Sequence, residues 1–179
     1  MKFSQFILIP IIISALAFTI QLVDQSVAGL MPIPANKGFG WVAFICWSLY
    51  FLAGGDLAGG RKVLFACGVG IAASVAIMEL SGVLGSYLSA FATPAAIFAI
   101  VIPCLCLERF PPFDFIPGIF VGAGIYFGMM SYVPGATYAN AAITELAYAV
   151  IGVFYGWLSL VLRGKYTAAV EKNALSAGS

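Results

Sequence analysis

The chain has 179 residues, of which 63% are hydrophobic and 8% charged, with a formal net charge of +1 and a mean hydropathy of +1.07. Because a soluble domain carries about 25% charged residues, this composition predicts an all-α integral membrane protein whose main partner is the lipid bilayer. The chain contains no histidine, which excludes His-ligated haem and most catalytic zinc sites. No basic tract suggests nucleic acid, and we expect no cofactor.

Residues 1–163 form a transmembrane domain of six apolar stretches joined by short loops. A helix needs about 20 mainly apolar residues to cross a bilayer, so the length accommodates six spans and no soluble domain. The first stretch is longer than the apolar region of a signal peptide, about 7–15 residues, and is predicted to be retained. The predicted spans are 6–28, 39–53, 63–83, 87–107, 115–132 and 138–162, followed by a cytoplasmic tail at 164–179.

The loops and breaks between these spans carry glycine, proline and charge. A polar turn is predicted through Gly59–Lys62, and a tight turn at Gly85-Ser86. Pro94 and Pro103 either kink the fourth span, or Pro94 marks its true start. The tail is either a short interfacial helix or disordered.

The basic residues predict the orientation. With six spans, all of them except Lys37 fall on one side, which is a strong positive-inside signal. We therefore expect both termini in the cytoplasm and the Lys37 loop outside. The residues on the cytoplasmic side are Lys2, Arg61, Lys62, Arg109, Arg163, Lys165 and Lys172.

The fifth stretch is almost wholly apolar yet contains glycines at two helical spacings. Gly118 and Gly122 share one face of a helix, and Gly124 and Gly128 share roughly the opposite face. In lipid, small residues at i and i+4 let helix backbones approach closely. The pattern predicts a central helix with close neighbours on both sides, in which Pro117 occupies the first turn.

Residues 44–51 and 120–127 share a pattern when Phe44 is aligned with Phe120. It consists of Phe, a β-branched residue, two variable positions, a small residue, an aliphatic residue and Tyr-Phe. A three-span unit duplicated in tandem inserts its second copy upside down, and such repeats place a transport path at their interface. The aromatic pairs either constrict that path or serve in packing. The predicted path residues are Phe44, Ser48, Tyr50, Phe51, Phe120, Gly124, Tyr126 and Phe127.

Several short motifs lie between about Gly38 and Gly128: Gly40-Trp41, Tyr50-Phe51, the glycine-rich loop with Lys62, and Phe115-Ile116-Pro117-Gly118-x-Phe120-Val121-Gly122. Through them, this part of the chain resembles a small bacterial inner-membrane family, the domain-of-unknown-function family 1097. The resemblance implies a multi-pass protein of the bacterial cytoplasmic membrane and supplies no established activity.

Asp24, Glu79 and Glu145 fall inside predicted spans, toward their outer ends. A carboxylate in a membrane is expensive and is by default a functional-site hypothesis. We interpret the three as an acidic outer vestibule that attracts cations or orients a polar solute. The alternative is that they are solvated at the headgroup level or hydrogen-bonded to nearby polar groups.

The cysteines Cys46, Cys67, Cys104 and Cys106 all lie in apolar stretches. Cys104-x-Cys106 could be a metal or redox pair, but small apolar helix residues explain it better. No nucleophile with a base, metal-ligand spacing or phosphate-binding loop is visible. The sequence therefore predicts no enzyme and no metal site.

Together these features predict a six-helix transmembrane bundle of two inverted three-helix repeats. The leading hypothesis is a channel or facilitator for a small polar or neutral solute, which forms a homo-oligomer. The alternative is a non-transporting accessory subunit that packs against a larger membrane complex.

Overall fold

The computed structural model describes residues 3–33 and 38–177, and within these ranges every regular element is helical, as predicted. Three segments are long and apolar enough to cross a membrane, Phe3–Leu30, Leu57–Arg109 and Tyr138–Ser176, and α3 and α6 are shorter apolar helices. The helices are α1 (Phe3–Phe6), α2 (Leu8–Val27), α3 (Gly40–Leu52), α4 (Leu57–Leu88), α5 (Ala92–Cys106), α6 (Ile116–Tyr132) and α7 (Tyr138–Ala177).

Helix α4 begins earlier than the predicted third span. Gly54 and Gly55 adopt φ angles of 109° and 70° and turn the chain. Asp56 then caps the helix, because its Oδ1 accepts a hydrogen bond from the Gly59 N–H at 2.6 Å. The prediction of a polar turn through Gly59–Lys62 is therefore wrong, since these residues form the first turns of α4.

The chain also passes helically through Gly85 and Ser86, where a tight turn was predicted. The reversal comes later, at Ser89, whose φ of 48° ends α4. A 3₁₀ turn over Ser89–Phe91 leads into α5, which holds Pro94 in its first turn. Pro94 thus marks a helix start, and Pro103 lies inside α5.

Helix α6 starts one residue before Pro117, which occupies the first turn as predicted. Helix α7 begins after Thr137, and Thr137 and Asn140 bond each other reciprocally. The Thr137 N–H donates to Asn140 Oδ1 at 2.7 Å, and the Asn140 N–H donates to Thr137 Oγ1 at 3.3 Å. The helix then continues to Ala177, so the described part of the predicted tail is an extension of α7.

Helices α4 and α7 form the centre of the molecule and contact each other. Helix α3 packs mainly on α7, and α6 packs mainly on α4. Helix α5 flanks α4, and α2 flanks α7. In the described chain, α3 and α6 belong to two different helix pairs and do not form an interface with each other.

The outer surface is apolar and rich in aromatic side chains. Trp41, Phe98 and Phe120 are among its exposed members, with 44%, 71% and 53% of their surfaces accessible. Exposed apolar area of this extent is typical of a surface that faces lipid. The interior, in contrast, encloses the fully buried aromatic rings of Tyr50, Tyr126 and Tyr148.

Candidate functional site

Glu145 of α7 lies in the centre of the helix bundle. Its side chain is fully buried, and neither carboxyl oxygen has a hydrogen-bond partner among the described residues. Its Oε1 borders Gly122 of α6, since a methyl group added at Gly122 would lie 3.4 Å from it. The same methyl would lie 2.8 Å from the Cα of Cys67 in α4. The carboxyl group therefore occupies the place where α4, α6 and α7 meet.

No cation in the described chain neutralises this carboxyl group. The only ion pair within residues 3–33 and 38–177 joins Lys62 Nζ to Asp114 Oδ2 at 2.6 Å, at the end of the bundle where α4 begins. A buried carboxylate without a partner carries a large desolvation cost, so the surroundings of Glu145 favour its uncharged form.

Two thiols lie beside this centre. Cys46 of α3 and Cys67 of α4 are fully buried, and their Sγ atoms are 4.0 Å apart. This distance brings the thiols into contact without a bond between the sulfur atoms. Cys104 and Cys106 are half-buried and exposed, so the cysteines that face one another are not the pair that the sequence singled out.

Asp24 lies at the end of α2, and the structure gives it three hydrogen-bond donors. Its Oδ1 accepts from the Phe39 N–H at 2.9 Å and from the Tyr148 hydroxyl at 2.6 Å. Its Oδ2 accepts from Gln21 Nε2 at 3.1 Å. The side chain is 5% exposed, so Asp24 fastens α2 to the start of α3 and to α7.

The structure does not gather the three predicted vestibule acids into one surface. Asp24 is buried and paired, Glu145 is buried and unpaired, and Glu79 is exposed on α4 and interacts with the Tyr138 hydroxyl. Tyr138 lies seven residues before Glu145 on α7, or about 10 Å along the helix axis. Of the three acids, Glu145 is thus the one that the fold places at its centre without a structural partner.

The predicted path residues are also divided. Tyr50 and Tyr126 are buried and donate to backbone carbonyls, of Gly55 and Tyr138 respectively, both at 2.9 Å. The others do not converge on a shared lining within one chain. Phe44, Ser48, Phe51, Phe120 and Gly124 are exposed, and Phe127 is half-buried.

The glycines of α6 confirm one of the two predicted packing faces. A methyl group at Gly118 would lie 2.8 Å from the Ala66 Cβ of α4, and Gly122 abuts Cys67 in the same way. On the other face, Gly124 and Gly128 have no atom of another described residue within 4 Å of such a methyl group. The expectation of close neighbours on both faces is therefore met on one face only, within a single chain.

Sequence reasoning missed the glycines on the partner helices. A methyl group at Gly70 of α4 would lie 2.9 Å from the Gly122 carbonyl carbon and 2.5 Å from the Ala123 nitrogen. Gly152 and Gly156 of α7 approach α3 equally closely, the second against Tyr50. The spacing Gly152-x-x-x-Gly156 was a signal of the kind used for α6. Nothing comparable indicated that Tyr148 would be the partner of Asp24.

Residues 11–163 match a protein family described as a protein of unknown function (DUF1097). The chain belongs to the DUF1097 family. No curated protein matches this DUF1097 chain, and no solved structure does. The matched range includes Asp24, Cys46, Cys67, Gly122 and Glu145, whereas most of the α7 extension lies beyond it.

Proposed function

We propose that this DUF1097 protein is a facilitator for a small polar solute in the bacterial cytoplasmic membrane. The observation that carries the proposal is the fully buried carboxyl group of Glu145, whose two oxygens have no hydrogen-bond partner in the described part of the chain. Ionisable residues inside a membrane bundle that face its interior mark substrate or ion pathways. Both termini lie in the cytoplasm, as the distribution of basic residues favours.

Two equivalent sets of contacts support inverted repeats. Gly152 of α7 abuts three positions of α3, and Gly70 of α4 abuts three positions of α6. In each set, the glycine lies against the carbonyl oxygen of one residue, an atom of the residue three positions later, and the backbone nitrogen of the residue four positions later. The first set is Ala43, Cys46 and Trp47, and the second is Ile119, Gly122 and Ala123. These are the residues that the alignment of Phe44 with Phe120 pairs.

The pairing of whole helices supports the same proposal. If the six spans are α2 to α7, the first half is α2, α3 and α4, and the second half is α5, α6 and α7. Matching the halves helix by helix makes the α3–α7 pair equivalent to the α6–α4 pair, and both are extensive interfaces. The same matching makes the α2–α7 contact equivalent to the α5–α4 contact. The two short apolar helices, α3 with 13 residues and α6 with 17, hold matching places in the halves. Unusually short spans in matching positions point to a transport site.

The sequence places the solute path between the spans that correspond to α3 and α6, but these helices lie apart, so the proposed path is a different one. The path follows the contact between the two halves beside α4 and α7, where Glu145 lies, and not a gap between α3 and α6. Since Glu145 is fully buried in this conformation, the solute reaches it only when helices separate. A gated facilitator fits this geometry better than a continuously open pore.

A purely structural role accounts poorly for Glu145. A structural carboxyl group holds donors in place, as Asp24 does with three of them, whereas Glu145 holds none. Proteins retain destabilising polar groups where function requires them. A free carboxyl group offers acceptor oxygens and, when protonated, an O–H donor, so it is suited to a solute that carries hydrogen-bonding polar groups.

The test measures flux of urea, formate, ammonium, glycerol and water in proteoliposomes. Glu145→Gln replaces the titratable carboxyl group by an amide with little change in shape, and the matched control is Glu79→Gln, an exposed acid on α4. We expect Glu145→Gln to alter the flux of at least one solute or its pH dependence, while Glu79→Gln behaves like the parent. Unchanged flux of every solute from pH 5 to 8, in a folded variant, would count against the proposal.

One observation favours a second candidate, an accessory subunit of a larger complex. The outward-facing aromatic side chains Phe44, Phe51 and Phe120, and the open face at Gly124 and Gly128, offer a surface for another membrane helix. A second copy of the chain is one such neighbour. Mass measurement of the protein in nanodiscs separates a homo-oligomer from a monomer. A monomer without flux supports the accessory role.

A further inference from the structure

Two apolar grooves open side by side where α3 ends and α4 begins. The larger has a volume of about 720 Å³ and is lined by Leu64, Phe154 and Trp157, among others. The smaller has a volume of about 370 Å³ and is lined by Ile9, Ile13 and Phe51, among others. Leu160 of α7 lines both grooves, so this one side chain lies between two apolar grooves of unequal size.

Each groove contains one exposed arginine. Arg61 lines the larger groove and Arg163 the smaller. Neither has an acidic partner in the part of the chain that the structure describes, where Lys62–Asp114 is the single ion pair. Arginine is the side chain best suited to bind a phosphate group, because its planar guanidinium donates two parallel hydrogen bonds.

Trp157 gives the larger groove a further feature of the membrane interface. The residue is 48% exposed, and its ring lies next to that of Phe154, with ring centroids 5.7 Å apart. Tryptophan is enriched at the level of the lipid headgroups, where its ring is apolar and its N–H is polar. The groove thus combines an apolar body, an interfacial aromatic ring and an unpaired cation.

We propose that these grooves bind one anionic phospholipid, with an acyl chain in each groove on either side of Leu160. The phosphate lies at the arginine end of the grooves, within reach of Arg61 or Arg163. Basic pockets between membrane helices on the cytoplasmic side bind anionic headgroups, and Arg61 and Arg163 both belong to the predicted cytoplasmic side. This inference requires the chain to lie in a bilayer and is independent of solute transport.

Asp56 also lines the larger groove and provides a further test of lipid binding. Its carboxylate caps α4 through the Gly59 N–H, and its negative charge opposes a phosphate at the same mouth. Asn is as good a helix cap as Asp. Asp56→Asn therefore keeps the cap and removes the repulsion, and we expect it to strengthen binding of the anionic lipid.

The test uses the full chain in detergent micelles and phospholipids with brominated acyl chains, which quench tryptophan fluorescence on contact. We expect brominated phosphatidylglycerol to quench more strongly than brominated phosphatidylcholine at equal concentration. Trp157→Phe removes the quenched fluorophore of the groove, while Trp41 and Trp47 remain. The preference for phosphatidylglycerol should disappear in that variant. Equal quenching by the two lipids, or a preference that survives Trp157→Phe, would overturn the site.

Charge variants test the headgroup contact. Replacing both Arg61 and Arg163 by glutamine should weaken phosphatidylglycerol binding about fivefold for each arginine that contacts the headgroup. The matched control replaces Arg109 and Lys172, which are exposed outside the grooves. A retained preference in the arginine double variant would refute the assignment. If that variant does not fold, the wild-type quenching and the stronger binding expected of Asp56→Asn decide the question.

Discussion

Asp24 and Glu145 are both buried carboxylic acids that contact the interior of the bundle, yet their surroundings differ. Within residues 3–33 and 38–177, Asp24 accepts three hydrogen bonds that the structure shows, and Glu145 accepts none. Asp24 lies on α2, but it contacts α7 close to Glu145, because its partner Tyr148 is three residues beyond Glu145. Within one turn of α7, Tyr148 thus binds Asp24 of α2, whereas the carboxyl group of Glu145 binds none of the described residues.

The hydrogen bond from Tyr148 to Asp24 should contribute measurably to stability. Such a bond to a charged acceptor is worth about 1.5–3 kcal/mol in soluble proteins, but bonds between membrane helices average about 0.6 kcal/mol. We expect Tyr148→Phe to lower the free energy of unfolding by about 1 kcal/mol, measured by thermal or denaturant unfolding in detergent.

The matched control is Tyr155→Phe on the same helix. Tyr155 donates to the neutral hydroxyl of Thr19 at 3.2 Å, a longer bond to a weaker acceptor. Its removal should cost less than the removal of the Tyr148 hydroxyl. Equal losses for the two variants would show that Asp24 gains nothing special from Tyr148.

The place of Glu145 within the last apolar helix could be read from the sequence, but the full burial of its side chain and the exposure of Glu79 could not. In a soluble helix, polar residues mark the outer face. In this chain the helices are apolar all round, so the sequence pattern no longer distinguishes the interior from lipid. Asp24 posed a different difficulty, because its partner Tyr148 comes from the far end of the chain.

At the scale of the helix, glycine spacing proved a better guide than apolar pattern. The spacing of Gly118 and Gly122 identified a face of α6 that does pack closely, on α4. The Gly85-Ser86 pair, in contrast, was predicted to be a tight turn, and the helix continues through it. Because glycine has no Cβ, it permits both the close approach of two helix backbones and a turn of the chain. The sequence alone does not distinguish these two uses.

Alanine substitutions on the two faces of α6 should have opposite effects. Gly122→Ala places a methyl group 2.8 Å from the Cα of Cys67, and overpacking of this kind costs about 1–3 kcal/mol. Gly124→Ala meets open space and gains helix propensity of up to about 1 kcal/mol. Unfolding midpoints of the two variants, measured side by side in detergent, provide the comparison.

Larger side chains strengthen the contrast. We expect Gly122→Leu to disrupt the bundle, whereas Gly124→Leu should be tolerated by the monomer. If Gly122→Leu assembles and melts like the parent, α6 does not contact α4 as closely as the structure shows. Loss of an oligomer in Gly124→Leu, with the monomer intact, would assign that face to subunit contact.

At the scale of the whole molecule, the topology remains a prediction with a direct test. Single cysteines at Asn36 and Ser176, in a chain whose native cysteines are replaced, can be labelled by a membrane-impermeant maleimide. We expect Asn36 to react from outside the cell and Ser176 only after the membrane is opened. Asn36, like Lys37, lies outside the described residues. Finding both positions on the same side would overturn the six-span arrangement.

The pairing of α3 with α7 and of α6 with α4 has a consequence for biogenesis. Each extensive pair joins one helix from the first half of the chain to one from the second. Helix α3 is therefore synthesised long before its partner α7, and the close fit of Gly152 against Cys46 forms only after α7 has been made. A nascent chain that stops before α7 exposes a bare helix face to chaperones and proteases. We therefore expect quality control to recognise an unfinished molecule by this uncovered face until α7 is in place.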